Sequence, residues 1–475
     1  AQGIGGGDGD FINSVTECSD GGCIAAGYFK SRNIELGNGI SLTNKGEQDG
    51  MLIKYKKNGE VEWAQRIGGI YTDNIYSVAE SSDGGCIVAG YFKSCNIDLG
   101  NGVNITCKRS FNDNGIVIKY DSNGKAEWAQ WTEGTSHSYL KSVEECDDGG
   151  FIVGGYSYSD SINVGNQTIT GTSDPNGMVI KFSSSGEVEW VRVYAYKIDS
   201  LINCSDGGYL VSGKFWGTDI DLGNGVSLAN KGRFDGMIIK YSSDGEVEWA
   251  QGIGESSDEE IISVVESSDG GYIVGGYFES SRINLGNGIS LIKKEGSEEH
   301  SSDGMIIKYS NTGEAEWAKV IGGVYNDQIN SVVGCSNGGC IVGGQIYSSS
   351  IDLGNGNVLT NKNSIRGMIL KITDQMGVPE IQELEVTNKR KKFKITTDVN
   401  EIDNIKGGSI SGEDEKSYET VKYGDSSSKE IKMIPDENYE IIGITVNGKE
   451  YSYTKAADGN YTMPAFTNVT EDKHI

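Results

Sequence analysis

Glutamate recurs at one position of a repeating motif, where four carboxylates could act together. It directly precedes strings such as CSDGG and SSDGG as Glu17, Glu80, Glu145 and Glu266. If these residues end strands that line a channel, they would surround its mouth and attract a cation or a basic ligand. The alternative is that each carboxylate makes local contacts beside its own turn. The sequence alone leaves both interpretations open.

Other residue types that support acid–base or metal chemistry are scarce. The three histidines, His137, His300 and His474, stand far apart, and no H-E-x-x-H, C-x-x-C or EF-hand string occurs. Aspartate and asparagine in the many D-G and N-G turns could bind calcium weakly, although turn formation alone explains them. We therefore expect no catalytic residue, no metal site and no cofactor beyond weakly bound calcium.

The string that follows these glutamates marks six copies of one repeat unit, and Asn203 and Gly334 replace the glutamate in copies four and six. An S-x-D-G-G string or a close relative occurs at residues 18–22, 81–85, 146–150, 204–208, 267–271 and 335–339. Each copy contains runs rich in Val, Ile and Tyr that are bounded by Gly, Asn, Asp or Ser, a pattern typical of strands and tight turns. Four antiparallel strands per copy predict an all-β, six-bladed propeller over residues 1–377.

The first and last copies of the repeat look like parts of one blade. The last copy contains three strand-like runs, and residues 1–6 match the fourth run of the other copies. We expect this N-terminal strand to pair with residues 368–373, which would close the ring and leave no open sheet edge. The alternative is that it completes a blade of another molecule and builds a filament or surface layer.

The repeat resembles a known family in the stretch that begins DGMIIKYSSDGEVEWAQGIG and continues to SVVESSDGGYIVGGYF. It is similar to the SBBP-type bacterial β-propeller repeat, and the similarity extends over residues 1–376. That resemblance implies a secreted or envelope-associated protein and says little about activity. The LGNG linker of this chain departs from the more irregular linker of the family.

Residues 378–475 have a different composition and no repeat, and they predict a small all-β module. This segment resembles the divergent internalin-type B repeats of Gram-positive surface proteins. The resemblance is carried by Gly407 to Gly412, Pro435 to Ile441 and Ile444 to Gly448. It implies a spacer or stalk. A basic run from Lys389 to Lys394 is expected to be a solvated strand edge, the alternative being contact with acidic wall polymers.

The bulk composition excludes several classes of partner. The formal net charge is -27, which repels nucleic acid and anionic membranes. No apolar stretch approaches the ~20 residues that a membrane helix needs. We therefore expect no nucleic-acid partner and no membrane insertion.

The nine cysteines are too few for a disulfide scaffold, but six of them are placed in pairs. If the SDGG and SNGG turns contain two residues, the flanking cysteines lie opposite each other across a hairpin. Another pair is symmetric about the centre of an LGNG linker. The expected disulfides are Cys18 with Cys23, Cys95 with Cys107, and Cys335 with Cys340.

Aromatic residues divide into a periodic and an irregular set. The periodic tryptophans are expected to pack between blades, because each blade must offer one large apolar side chain there. Irregular aromatics lie in copies three and four, which diverge most, and we expect them to gather on one side of the ring and bind a sugar face. These candidates are Trp131, Tyr158, Tyr194, Tyr196 and Trp216.

The sequence as a whole therefore predicts an extracellular or cell-surface protein that binds or adheres and does not catalyse. Its ligand would be a glycan or a matrix or surface protein. Self-assembly into a filament is one alternative. The other is a sialidase-like glycoside hydrolase, since SSDGGCI at 81–87 resembles an Asp box; however, the arginine triad and Tyr–Glu pair of such an enzyme are not signalled.

Overall fold

In a computed structural model, successive repeats fold into successive antiparallel sheets, which are the blades of a six-bladed β-propeller arrangement. The structure describes residues 3–372, apart from 108–111, 172–174, 218, 295–300, 336–337, 355–356 and 361–365. Beyond residue 372 it describes only short strands. Among the described residues, no helix is long and apolar enough to span a membrane.

The first three blades have the following strands. Blade 1 contains β1 (Asp10–Glu17), β2 (Cys23–Phe29), β3 (Asn33–Gly37), β4 (Ile40–Thr43), β5 (Asp49–Tyr55) and β6 (Val61–Ile67). Blade 2 contains β7 (Asp73–Glu80), β8 (Cys86–Phe92), β9 (Ile97–Asp98), β10 (Asn104–Ile105), β11 (Asn114–Tyr120) and β12 (Ala126–Gly134). Blade 3 contains β13 (Ser138–Glu145), β14 (Phe151–Ser157), β15 (Ser161–Val164), β16 (Gln167–Thr170), β17 (Asn176–Phe182) and β18 (Val188–Tyr194).

The other three blades repeat the plan. Blade 4 contains β19 (Lys197–Asn203), β20 (Tyr209–Phe215), β21 (Ile220–Gly223), β22 (Val226–Leu228), β23 (Asp235–Tyr241) and β24 (Val247–Ile253). Blade 5 contains β25 (Glu259–Glu266), β26 (Tyr272–Phe278), β27 (Arg282–Gly286), β28 (Ile289–Ile292), β29 (Asp303–Tyr309) and β30 (Ala315–Ile321). Blade 6 contains β31 (Asp327–Gly334), β32 (Cys340–Ile346), β33 (Ser350–Gly354), β34 (Asn357–Thr360) and β35 (Arg366–Ile372).

Within each blade the third and fourth strands pair as a linker hairpin, and the remaining strands form the blade sheet in chain order. The first strands of successive blades pack side by side, so they are the inner strands of the arrangement. Apolar side chains fill the junctions between blades. Ile87 and Val117 of blade 2, for example, are fully buried in one cluster with Leu140 and Val143 of blade 3. Burial of this kind is the main source of stability in such a repeat.

The N-terminal segment does not complete blade 6 as predicted. Blade 6 has three strands in the described residues, and residues 3–9 form no strand. This segment lies on blade 1 instead, where Ile4 packs against the blade core and the amide of Gly6 donates to Asp10 Oδ2 at 2.8 Å. These contacts of Ile4 and Gly6 with blade 1 therefore take the place of the predicted pairing with blade 6.

The chain separates into two compact units, Ala1–Glu383 and Leu384–Ile475, whereas the sequence placed the boundary after residue 377. The described strands of the second unit are β36 (Gly408–Ile410), β37 (Lys416–Tyr418), β38 (Ile431–Met433), β39 (Thr445–Val446), β40 (Lys449–Glu450), β41 (Thr454–Lys455) and β42 (Tyr461–Met463). They pair in antiparallel fashion.

The cysteine pairs behave differently from one another. Cys95 and Cys107 form a disulfide across the β9–β10 hairpin. The other two predicted pairs, Cys18 with Cys23 and Cys335 with Cys340, are free thiols, so those predictions were wrong. The reason is turn length: the amide of Cys18 donates to Gly22 O, so three residues separate the ends of the turn. Cys23 therefore lies opposite Glu17.

Candidate functional site

The recurrent glutamates join neighbouring blades. Glu80 accepts hydrogen bonds from the amide and the hydroxyl of Ser19, in the turn of the preceding blade, at 2.9–3.0 Å. Glu145 makes the same contacts with Ser82. Glu266 does so with Ser205, while Glu17, at the end of β1, is exposed. Glu80, Glu145 and Glu266 therefore act as clasps between blades, and their geometry does not support a cation-binding channel mouth.

Turn aspartates are likewise occupied by structural contacts. Asp20 Oδ1 accepts from the amide of Gly22, and Asp20 Oδ2 lies 2.8 Å from the ammonium of Lys54. The same ion pair joins Asp83 to Lys119 in blade 2. The lysines are nearly buried, so each needs this carboxylate as a partner. Among the described residues, no group of three or more His, Cys, Asp or Glu side chains is placed to hold a metal ion.

Two of the predicted sugar-binding aromatics belong to the packing between blades 3 and 4. Tyr196 is fully buried, and its hydroxyl hydrogen-bonds to that of Tyr241. Tyr194 is half-buried and stacks on Tyr196, with ring centroids 4.9 Å apart. Tyr209 extends this stack against Tyr241. Their predicted exposure is therefore wrong, because the segment that lost the shared glycines fills its junction with tyrosine rings.

The other three predicted aromatics do not form one patch. Trp131 packs against the core that blades 1 and 2 share, and its Nε1 donates to Glu133. Trp216 is half-buried beside Phe234 in blade 4. Tyr158 is exposed and contacts the edge of Tyr156. Of the five candidates, Tyr158 alone touches the cluster described below.

The periodic tryptophans pack between blades as predicted. Trp63 of blade 1 lies on the turn of blade 2, where its Nε1 donates to Ser122 O at 3.1 Å. Trp128 contacts Ser184 O in the same way, and Trp249 contacts Asn311 O. These indoles are thus structural and are not available as a sugar platform.

A β-bulge interrupts every inner strand at one repeat position. The register with the second strand skips one residue per blade: Asn13, Tyr76, Lys141, Asp199, Ile262 and Asn330. A bulge re-aims the side chain of its extra residue. The residues on either side are nearly constant between blades, whereas the bulged residue differs in type. This position is therefore where the inner strands can carry chemistry.

Tyrosine rings form a continuous chain beside two of these bulges, Tyr76 of blade 2 and Lys141 of blade 3. Tyr76 contacts Tyr91 at 5.6 Å between ring centroids, Tyr91 contacts Tyr139 at 5.2 Å, and Tyr139 contacts Tyr156 at 5.3 Å. Tyr158 extends the chain at 5.8 Å. The first four of these tyrosines are half-buried, and Tyr158 is exposed. We call these five residues the tyrosine chain.

Three lysines and two carboxylates continue the surface from the tyrosine chain. The ammonium of Lys197 lies 2.7 Å from Asp199 Oδ1 and 2.9 Å from Glu260 Oε1. Lys214 approaches Glu260 Oε2 at 2.7 Å, and the hydroxyl of Tyr277 donates to the same oxygen. Lys197 also lies 5.0 Å from the centre of the Tyr156 ring. Cation–π and ionic contacts thus link the tyrosine chain to blades 4 and 5.

Lys141 is the cation best placed to meet a ligand. Its ammonium lies 3.5 Å from the centre of the Tyr76 ring. Burial lowers its pKa, and the neighbouring Lys197 acts in the same direction, while Asp199 and Glu260 oppose the change. No carboxylate lies within ion-pairing distance of Lys141 in the described part of the chain. An anion brought to this ammonium would stabilise its charged form.

The carboxylates of this surface are held as partners of lysine. Burial opposes the ionisation of Glu260, but Lys197 and Lys214 outweigh it, so the pKa of Glu260 lies below its usual range. Burial raises the pKa of Asp199 to about 6, against the pull of Lys197. A carboxylate that is clamped by two ammonium groups is a poor proton donor at neutral pH.

Sequence reasoning missed Tyr76, Tyr91, Tyr139, Tyr156 and Lys141. It looked for divergence between copies in loops and linkers, whereas the divergence that matters is confined to single positions of the inner strands. One signal was present: the residue between the constant Ile or Leu and the constant Ser of each first strand varies from Asn to Tyr, Lys, Asp and Ile.

The fold and this surface define a β-propeller repeat protein with a polar–aromatic face on its inner strands. No family model matches the chain, so the SBBP-type and internalin-type similarities remain resemblances. The regulatory protein FlaEY of Caulobacter vibrioides is 28% identical over 205 residues, which is 43% of this chain and 20% of that protein. The chain thus spans about a fifth of the length of that relative.

Solved structures similar to this chain include two propeller-like proteins. The WD40 β-propeller domain of Doa1 has 11% sequence identity and a TM-score of 0.31, with 72% of this chain and 92% of that one covered. BamB from Moraxella catarrhalis has 10% identity and a TM-score of 0.28, with 70% and 80% covered.

Proposed function

We propose that the propeller is a non-catalytic binding module for carbohydrate, displayed outside the cell, with the second unit as its spacer. The observation that carries the proposal is the tyrosine chain, which offers adjacent ring faces on blades 2 and 3 beside Lys141. Aromatic faces stack on the apolar face of a sugar ring, and nearby polar groups supply direction.

An acidic glycan fits this surface better than a neutral one. The Lys141 ammonium is half-buried and rests on the Tyr76 ring. A uronate or sulfate group could bind it while the neighbouring sugar stacks on Tyr91 or Tyr139. Since the whole chain carries a net charge of -27, a local cation is needed to hold an anionic ligand. Binding should therefore weaken as salt screens this contact.

The state of Glu260 makes it unsuited to be the acid of a glycoside hydrolase, and the neighbouring Asp199, whose pKa burial raises to about 6, is ion-paired with Lys197 at 2.7 Å. Glycoside hydrolysis needs a carboxylic acid that remains protonated near neutral pH and a second carboxylate beside the scissile bond. Glu260 is instead held ionised by Lys197 and Lys214, with ammonium–carboxylate distances of 2.9 and 2.7 Å. Glu260 is placed to hold Lys197 and Lys214 in position beside the tyrosine chain by ion pairing.

The test uses the full chain and two immobilised polysaccharides, polygalacturonate and a neutral galactan, with titration calorimetry on soluble fragments. We expect polygalacturonate to bind and Tyr91→Ala to weaken it at least tenfold. Lys141→Gln should lose the preference for the acidic polymer. Trp216→Ala, an aromatic outside the cluster, should bind as the native chain does. Equal binding by native chain and Tyr91→Ala, or binding only to matrix proteins, would contradict the proposal.

A further inference from the structure

Two exposed apolar faces lie at opposite ends of the series of six blades. On blade 1, Ile12 is 37% exposed and Val15 is 61% exposed. On blade 6, Val333 is 57%, Ile341 40% and Ile369 67% exposed. Clustered aliphatic exposure of this kind marks an interaction surface more often than a bare surface. We call these the head face (blade 1) and the tail face (blade 6).

The head and tail faces are the two halves of a junction that the chain already contains. At the junction of blades 5 and 6, Ile273 and Ile306 are fully buried against Ile329 and Val332. At the same repeat positions, the tail face has Ile341 in place of Ile273 and Ile369 in place of Ile306. The head face has Ile12 in place of Ile329 and Val15 in place of Val332. A head face therefore has the shape that a tail face requires.

Polar groups of the two faces match in the same way. At internal junctions the inner-strand serine accepts a hydrogen bond from a valine amide of the next blade, as Ser263 Oγ does from Val332 at 3.1 Å. Its tail-face equivalent, Ser331, is exposed. The clasp carboxylate of the head face, Glu17, is exposed as well. A partner that is merely apolar would leave these groups without their usual contacts.

We propose that a second copy of this chain docks head to tail, with the head face of one copy on the tail face of the other. The occupant is another copy because five internal junctions show that this pairing of surfaces is stable, and because both faces remain exposed within the single chain. The interface is heterologous, so each dimer leaves one free head and one free tail. This proposal is independent of the carbohydrate site.

Charge makes the proposed association dependent on salt. Each copy carries a net charge of -27, so two copies repel each other at low ionic strength. The faces themselves are mostly aliphatic, and their burial is little weakened by salt. We therefore expect association to strengthen as salt rises, opposite to the expected behaviour of the glycan contact at Lys141.

Complementation between two variants tests the proposal directly. Val15→Arg blocks the head face, and Ile369→Arg blocks the tail face. By sedimentation velocity, the native full chain should associate as concentration rises, and each variant alone should be monomeric. An equimolar mixture should form dimers and nothing larger, because one intact head meets one intact tail. Val358→Arg, at an exposed valine of the linker hairpin, should associate like the native chain.

A native chain that stays monomeric at all concentrations and salt levels would overturn the proposal. So would a mixture of the two folded variants that stays monomeric, as expected if each chain closed its own head on its own tail. Circular dichroism confirms that each variant is folded. Since a misfolded variant could not complement its partner, Val15→Ser and Ile369→Ser serve as a milder second pair with the same expected pattern.

Discussion

The contact between a turn glycine and the tryptophan of the preceding blade allows a sharp test of blade packing. Gly124 has φ +75°, and a Cβ added there would lie 2.7 Å from the indole of Trp63. Gly59 occupies the same turn in blade 1 with φ +83° and has nothing within 4 Å of an added Cβ. The two alanine substitutions thus share the same backbone strain, and only the one at Gly124 also meets a side chain of a neighbouring blade.

The expected magnitudes follow from the two kinds of strain. A left-handed backbone costs alanine about 1–2 kcal/mol, and this cost is common to both sites. At Gly124 the Trp63 indole must also move, which adds about 1–3 kcal/mol of overpacking. Loss of its hydrogen bond to Ser122 O would add about 1 kcal/mol. Gly124→Ala should therefore destabilise the propeller two to three times as much as Gly59→Ala.

Thermal unfolding and hydrogen exchange measure the difference. A change of 1 kcal/mol shifts Tm by about 2–4 °C or less in a unit of this size. Since repeats can open locally, peptides of the blade 1–2 junction should exchange faster in Gly124→Ala than in Gly59→Ala. In a Trp63→Leu background the extra cost of Gly124→Ala should largely vanish. Equal losses at the two glycines would refute the packing argument.

Two further predictions concern buried and bridging carboxylates. Asp303 is fully buried, and burial raises its pKa to about 6; the stability it contributes is present below its unfolded pKa of 3.8 and is lost as pH rises through 6. Asp303→Asn places at this position the residue that blades 2 and 3 have there, Asn114 and Asn176. It should stabilise the chain by up to ~3 kcal/mol at pH 8 and not at pH 4. Urea unfolding at both pH values measures the difference, and an equal gain in stability at pH 4 would contradict the prediction. For the clasp, a double-mutant cycle of Glu80→Ala and Ser19→Ala should give a coupling of about 1 kcal/mol, and additive losses would show that the contact is unimportant.

The sequence predicted the blades because their signals are local. D-G and N-G turns between Val- and Ile-rich runs set strand ends, and the tryptophan period set the packing between blades. The predicted completion of blade 6 was wrong because the N-terminal segment can be placed in two ways by its sequence. Residues 3–9 match the linker before an inner strand as well as the end of a fourth strand, and the Gly6–Asp10 contact holds them on blade 1. The disulfide between Cys95 and Cys107 was predicted correctly, whereas the other two pairs were predicted wrongly because their turn is one residue longer than assumed.

The candidate site was hidden because a β-bulge is a property of register. A tyrosine or a lysine in a strand is not unusual, so the residue types of Tyr76 and Lys141 give no signal. If side chains alternated strictly along the strand, each of these two would lie on a face of its blade. Skipping one residue between Ile75 and Ser77 sends Tyr76 out of that alternation, and the same skip places Lys141 beside it on the next blade. Each bulge follows a constant aliphatic residue and precedes a constant serine. The fold therefore fixes the frame of this position, and the residue type at the bulge is left free to serve binding.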